Sequence, residues 1–366
     1  MRRERVAPRP DWVARLEALE FDVWRHADGR PYWREDACFV LDEGEVEALH
    51  AAAEQAVAMI DEAVAAAFDG ATLASLGVEG VLAKAARSSW AARAPSVYGR
   101  LDFAWDTQGP RLLEFNADTP TALYEAAVVQ WHWLMDRDPG ADQYNAIHEA
   151  LLGVWTAMRG EFGPRAHFAC MREHPDDLLT TDYLRDIAVQ AGFEATLLDV
   201  GEIGWDGSRL VDLDEAPIQT LFKLYPWEWM AAEAFGPHLA RTDATIIEPA
   251  WRIAASSKAL LADLWAMNEG HPVLLPASRD PHALSGDVME KGWFGREGAQ
   301  VRRRAPGGPV SAGVVYQQRT AMTPFDGLYP VFGVWVAGGR PCGLGIREDA
   351  DPVTGVNACF IPHRIG

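Results

Sequence analysis

Two short runs hold most of the residues whose types could do chemistry. The first is Tyr98-Gly-Arg100-Leu-Asp102, and the second is Leu112-Leu-Glu114-Phe-Asn116-Ala-Asp118-Thr119-Pro-Thr121. A strand repeats every two residues, so Arg100 and Asp102 share one face, as do Glu114 and Asn116. If the two runs pair as a hairpin about Asp106–Pro110, the four side chains converge. Two carboxylates and an amide oxygen are hard ligands that suit Mg²⁺ held together with phosphate oxygens. An arginine beside them would meet phosphate or carboxylate oxygens. The same spacing also fits a surface hairpin carrying an Arg–Asp ion pair. Leu112, Leu113 and Phe115 between the polar positions favour a half-buried strand.

Further along, Lys258 lies in Ser-Ser-Lys-Ala-Leu-Leu, and Lys291 opens Lys-Gly-Trp-Phe-Gly-Arg-Glu-Gly298. A lysine followed by a glycine-bracketed turn can place an ammonium and backbone N–H groups around phosphates, and residues 291–299 read as a lid. Only Lys84, Lys223, Lys258 and Lys291 are lysines, so each carries some information. Gly345-Ile-Arg347-Glu-Asp349 ends the last strand pair and by itself reads as a surface charge cluster.

The elements that must position these residues follow from the pattern. Asp42 and Glu45 form a capping-box pair ahead of an apolar stripe from Val46 to Phe68, which predicts a long helix. Helices are expected at about 120–136, with Pro120 in the first turn, at about 142–162, and from Ser256 or Ser257 to Met267. Residues 165–200 read as a βαβ unit: strand His167–Met171, a helix from near Thr181, strand Ala195–Val200. Val314–Gln318, Val331–Ala337 and Cys342–Arg347 read as strands, with Gly338-Gly339 as a turn. Residues 1–40 read as irregular.

Composition limits the partners. The 366 residues suggest two or three structural units at about 100–200 residues each. Asp and Glu number 53 against 33 Lys and Arg, a formal charge of −20, which would repel nucleic acid and anionic membranes. Four scattered cysteines, Cys38, Cys170, Cys342 and Cys359, predict a reduced, cytoplasmic protein without a metal cluster. No signal peptide or membrane span is expected.

Taken in order, RPDW, PYWREDACF, SVYGRLDFAWD, LLEFNADTPTALYEAA, LFKLYPWEW, EPAW, SSKALL, the Lys291 segment with REGA, YQQ and GIRED resemble the glutathionylspermidine synthase family over nearly the whole chain. Its short, synthetase-only members are the better match, which implies no thiol-dependent amidase activity. The resemblance implies an α+β protein with an ATP-grasp fold in permuted order and an inserted βαβ, Rossmann-like, substrate-side unit. The units would be 1–164 with the metal hairpin, 165–250 as the insert, and 251–366 with the lid and the rest of the nucleotide site.

The family's functional residues carry over as follows. Asp102, Glu114 and Asn116 match Mg²⁺ ligands, with Glu114 shared between two ions. Arg100 matches an arginine near the transferred phosphoryl group, and Arg347 one near the acceptor carboxylate. Lys258 and Lys291 match phosphate lysines, with Glu297 and Gly298 in the adjoining lid. Gln317, Gln318, Arg319 and Thr320 match the adenine border. Thr119 and Thr121 stand where serines approach glutathione. Cys359 departs from the pattern, standing where an acidic residue is usual. The implied activity is ATP- and Mg²⁺-dependent ligation of a carboxylate to an amine through an acyl phosphate, with glutathione and a polyamine as the leading pair. Another peptide or amino-acid carboxylate with another amine, or a degenerate nucleotide-binding regulatory protein, are the alternatives.

Overall fold

The computed structural model describes residues 1–296, 298–305 and 307–366. Among the described residues it is an α+β structure built from three principal sheets, a small terminal one and a two-stranded ribbon, Gly204–Trp205 with Leu210–Val211.

The central sheet is antiparallel throughout. Its strand order is Cys359–Ile361, Arg340–Asp349, Tyr329–Ala337, Tyr98–Asp106, Gly109–Asn116. The hairpin 98–116 therefore lies beside strands more than 200 residues later in the chain. The register sets Arg100 against Asn116 and Asp102 against Glu114. On the neighbouring strand Gly333 stands between Asp102 and Gly345. The long helix Glu43–Asp69 covers one face of this sheet, and the expected reciprocal cap forms, with Glu45 N donating to Asp42 Oδ1 at 2.9 Å. Its apolar stripe, including Leu49, Ala53, Ile60 and Val64, is buried in the main core.

A second sheet is parallel, in the order Thr245–Ile247, Thr220–Leu224, Arg165–Cys170, Glu194–Asp199. Its crossover helix, Pro175–Gln190, begins six residues before the expected Thr181. Pro175 occupies the first turn, where a missing N–H costs nothing, while Thr180 and Thr181 are buried in the helix interior. The third sheet, antiparallel, has the order Ala277–Ser278, Val314–Gln318, Val288–Gly292, Val301–Arg303. It carries the Lys291 segment.

Three other expectations need correction. Residues 1–40 are not irregular. Arg2–Arg5 pairs with Ala37–Leu41, whose other edge takes the C-terminal strand His363–Ile365. The helix expected at 120–136 begins at Leu123, passes through a π turn at Glu125–Val129, and continues as Gln130–Arg137. The single helix expected from Ser256 or Ser257 is two helices, Arg252–Ser256 and Leu260–Met267. Both serine hydroxyls serve tertiary contacts: Ser256 Oγ accepts from Ala117 N at 2.9 Å, and Ser257 Oγ donates to Leu76 O at 2.8 Å.

The parallel sheet is fastened to the central hairpin by buried charge. Lys223 forms an ion pair with Asp118, which also accepts from Trp227 N at 3.0 Å. The Trp227 ring lies 5.1 Å from Lys223 Nζ, and its Nε1 donates to Glu248 O at 2.8 Å. Lys223 and Asp118 are 1% and 2% exposed, so neither charge has water to replace its partner. Lys223→Met should strand the Asp118 carboxylate and cost about 3–5 kcal/mol in denaturant unfolding, whereas Lys223→Met with Asp118→Leu should recover part of that loss. Equal stability of the single variant and the wild type would contradict this account of the junction.

Candidate active site

A cleft of about 1040 Å³ opens where the three principal sheets meet. The hairpin supplies Arg100, Asp102, Glu114 and Asn116. The helix break supplies Lys258, the third sheet Lys291 and Gln317, and the last long strand Arg347.

The Asp102 carboxylate takes both nitrogens of one face of Arg100, Nε to Oδ1 at 2.6 Å and Nη2 to Oδ2 at 3.0 Å. Arg347 Nη2 reaches the same Oδ2 at 2.9 Å. Arg100 Nη1 donates to the carbonyl of Thr121 at 2.6 Å, which ties the end of the hairpin to the loop behind it. Asn116 Nδ2 lies 3.2 Å from Asp102 Oδ2 and 3.4 Å from Glu114 Oε1, so the three side chains meet at one point. The two carboxylates, joined by the Asn116 oxygen if its amide turned over, would be hard ligands of the kind that suit Mg²⁺ chelated together with phosphate. Among the described residues, no group of three or more His, Cys, Asp or Glu side chains makes a metal site by itself.

The lysines are held in the same way. Lys258 Nζ is 3.1 Å from Glu114 Oε2 and donates to Gly295 O at 2.6 Å. Its own N–H donates to Trp293 O at 2.9 Å, so the helix break is fixed to the segment after Lys291. Lys291 Nζ donates to Gln317 Oε1 at 2.7 Å and to Leu113 O at 3.0 Å. Burial alone would raise the Glu114 pKa, but Lys258, Lys291 and Arg100 outweigh it and hold the carboxyl at about 2. Burial pushes Lys291 down to about 8, with Glu114 opposing and Lys258 reinforcing the shift.

The other residues singled out in the sequence are distributed around this centre. Gln317 lies on the cleft wall as the clamp of Lys291, with its Nε2 donating to Leu112 O at 3.2 Å. Gln318, Arg319 and Thr320 line the same end; Thr320 Oγ1 donates to Asp106 Oδ2 at 3.1 Å. Thr119 and Thr121 line the opposite side, Thr121 engaging Arg100 through its carbonyl. Gly298 adjoins the 352–354 loop, with a positive φ of 71° and no room for a side chain against Thr354 O. Glu297 lies outside the described residues. Cys359 is half-buried on the edge strand, and its thiol is raised by burial.

Sequence reasoning assigned no role to Arg296, Asp118, Glu125 or Tyr32. Arg296 pairs with Glu228 at 2.6 Å and lies over Trp229, joining the segment after Lys291 to the parallel-sheet unit. Both partners lie inside quoted motifs, REGA and LYPWEW, but an ion pair between segments 68 residues apart leaves no local periodic signal.

The whole chain was then compared with known proteins. A family model described as glutathionylspermidine synthase preATP-grasp matches residues 3–366. The chain belongs to that family. It is 36% identical to a Haemophilus influenzae protein that carries the provisional name acid–amine ligase, over 97% of each chain. It is 26% identical to trypanothione synthetase of Crithidia fasciculata, over 76% of this chain and 49% of that one. With the bifunctional glutathionylspermidine synthetase/amidase of Escherichia coli it shares 23% identity, over 77% of this chain and 51% of that one. The chain thus spans about half the length of these last two relatives. Among solved structures, a glutathione synthetase-like effector from Globodera pallida superposes with a TM-score of 0.60 over 90% of this chain and 89% of that one, at 9% identity, a likeness of fold alone. Membership of this family supports a ligase that uses ATP. No helix among the described residues is long and apolar enough to cross a membrane.

Two outcomes test the site. A Cβ on Gly333 would stand 2.8 Å from Arg100 Cδ, so Gly333→Ala should displace Arg100 while the sheet persists. Its melting temperature should stay near the wild type while turnover falls ~10-fold or more. Lys291 is charged below about pH 8 and neutral above, so ATP affinity by calorimetry should fall as pH rises from 7 to 9. That decline should vanish in Lys291→Met; a decline of the same size in the variant would reassign it to another group.

Proposed function

We propose that this protein is an ATP- and Mg²⁺-dependent ligase that joins a carboxylate to an amine through an acyl phosphate, with ADP and phosphate as by-products. The observation that carries the reading is the meeting of Asp102, Glu114 and Asn116 with four cations, Arg100, Arg347, Lys258 and Lys291, in one cleft. The fold we propose is an ATP-grasp in permuted order, partitioned at 1–164, 165–250 and 251–366. In it the metal-bearing hairpin precedes the phosphate lysines in the sequence, and the helix break and the third sheet bring Lys258 and Lys291 back against it.

Lys258 and Lys291 would take the phosphate chain of ATP, and the wall from Gln317 to Thr320 would border the base. Arg100 and Arg347 would face the transferring phosphoryl group and the acyl phosphate. Catalysis here is positioning and charge neutralisation. When bound between Asp102, Glu114, Asn116 and the phosphates, Mg²⁺ would supply further charge neutralisation. The carboxylate oxygen attacks the γ-phosphorus, ADP departs, and the amine then displaces phosphate from the acyl carbon. The segment 291–299 would close over the cleft and exclude water from the acyl phosphate.

Glutathione and a polyamine are the leading substrates. The relatives named as glutathionylspermidine and trypanothione synthetases support the pair, and the net charge of −20 is compatible with a polycation. The proposed location is the cytoplasm. The deciding experiment is ADP release screened over carboxylate and amine pairs, with mass spectrometry of the product. ADP release that needs both substrates and yields an amide supports the reading. ATP binding without turnover on any pair would instead identify a nucleotide-binding regulatory protein.

Glu114→Gln should remove most turnover, because that carboxylate faces both lysines and the metal position. Lys258→Met should weaken ATP binding about tenfold or more, the equivalent of a charge-assisted bond of roughly 1.5–3 kcal/mol. Arg100→Ala should lower kcat by ~10²–10³ with little change in ATP affinity, and Arg100→Lys should not restore it. Unaltered kcat in Arg100→Ala would place the phosphoryl group elsewhere in the cleft.

A further inference from the structure

The oxygens that would hold a metal are already taken by N–H donors. Asp102 Oδ1 accepts from Arg100 Nε, and Oδ2 accepts from Arg100 Nη2, from Arg347 Nη2 at 2.9 Å and from Asn116 Nδ2 at 3.2 Å. Glu114 Oε1 faces the same Asn116 Nδ2 at 3.4 Å, and its Oε2 lies 3.1 Å from Lys258 Nζ. Among the described residues, the hydrogen-bond and ion-pair partners of these two carboxylates are all nitrogens that carry protons. A divalent cation needs the same lone pairs and is repelled by the cations that hold them.

The two carboxylates are not held alike. Asp102 is gripped by the planar fork of Arg100, two residues away on its own strand, and its side chain is 4% exposed. Such a bidentate pair is fixed in geometry. Lys258 holds Glu114 by one ammonium at the end of a flexible stem, and the Glu114 side chain is 24% exposed on the cleft wall. The same ammonium donates to Gly295 O at 2.6 Å, so it can leave the carboxylate and keep a partner. The Lys258 backbone is anchored separately, its N–H donating to Trp293 O in the break between the helices Arg252–Ser256 and Leu260–Met267. The side chain can therefore swing while the helix break stays in place.

We propose that Lys258 is an internal stopper of the metal position. It neutralises Glu114 in the ligand-free protein and yields that carboxylate only when a phosphate chain draws its ammonium away. The inference rests on the nucleotide-binding part of the reading above and adds an order to it: a divalent cation is held together with the nucleotide and not before it. Asn116 completes the change. Its amide presents Nδ2 to both carboxylates and must turn to offer Oδ1 to an ion between them. When the phosphates leave, Lys258 returns to Glu114 and the ion departs with them.

The test uses the full chain without substrates and Mn²⁺ as the probe, its bound fraction read by electron paramagnetic resonance. Without nucleotide, Lys258→Met should bind Mn²⁺ about tenfold or more tightly than the wild type, the reverse of its weakened hold on ATP. Gain on one ligand and loss on the other is a signature that general damage to the fold would not give. Lys258→Gln, which keeps a hydrogen-bond donor for Gly295 O, should show the same gain and stands in if the Met variant does not fold. Lys291→Met is the control for diffuse charge. Its ammonium touches Gln317 and the Leu113 carbonyl and neither carboxylate, so its gain should fall well below that of Lys258→Met. Adding Glu114→Gln to Lys258→Met should abolish the gain. Mn²⁺ binding by the wild type as tight as by Lys258→Met, equal gains in the two lysine variants, or a gain that survives Glu114→Gln would each overturn the proposal. A wild type that takes up no Mn²⁺ even with a non-hydrolysable ATP analogue overturns the nucleotide reading instead, and the variants compared without nucleotide still decide the role of Lys258.

Discussion

Charge compensation inside the cleft is the constraint on which the rest of this structure depends. Arg100, Asp102, Lys258 and Lys291 are all buried, and Glu114 and Arg347 lie beside them. An isolated ion at such depth would be strongly destabilising, so each must be matched by another. Around the hairpin Arg100, Arg347, Lys258 and Lys291 meet Asp102 and Glu114, and these carboxylates divide between the cations, Asp102 to the arginines and Glu114 to Lys258. Lys291 is held instead by the neutral Gln317 side chain and the Leu113 carbonyl. On the proposed reading, the phosphates of ATP would bring negative charge to these cations and free Asp102 and Glu114 from their arginine and lysine partners.

That cluster determines what the scaffold around it must be. Arg100 can lie across the central sheet only because Gly333 presents no side chain there. Gly99 makes the same concession on the opposite face, where a Cβ would meet the Phe115 ring at 2.7 Å and Arg252 Nη2 at 2.8 Å. The second ionic layer, Asp118 with Lys223 and Glu248 with Arg252, lies behind the hairpin and joins it to the parallel sheet. The hairpin is accordingly held from both sides by charge and needs little help from its own turn.

Local chemistry made part of this legible in the sequence. The Asp42–Glu45 cap, the two-residue alternation of the hairpin and the Gly338-Gly339 turn are near-neighbour effects, and each appears where the pattern places it. The features that escaped depend on distant partners. Ser256 and Ser257 look like a helix start, yet their hydroxyls answer to Ala117 and Leu76. Arg2–Arg5 is polar and short, and becomes a strand only because Ala37–Leu41 offers it an edge. The π turn at Glu125 has no periodic signature, since it is set by Gln130 reaching a strand 214 residues away. Motif resemblance singled out Asp102, Glu114, Asn116, Lys258, Lys291 and Gln317, but not the contact by which Gln317 holds Lys291.

The small terminal sheet has a consequence for how the chain can be rearranged. Arg2–Arg5 and His363–Ile365 flank the same strand, Ala37–Leu41, so the two ends lie about two strand spacings, ~10 Å, apart. A linker of a few residues would span that gap and turn the chain into a closed loop. New ends could then be opened at an exposed connection such as the turn at Gly163, with every sheet pairing kept. On the proposed reading of a permuted ATP-grasp, that proximity offers a topological route between the two orders: the ends can move while the cleft stays where it is.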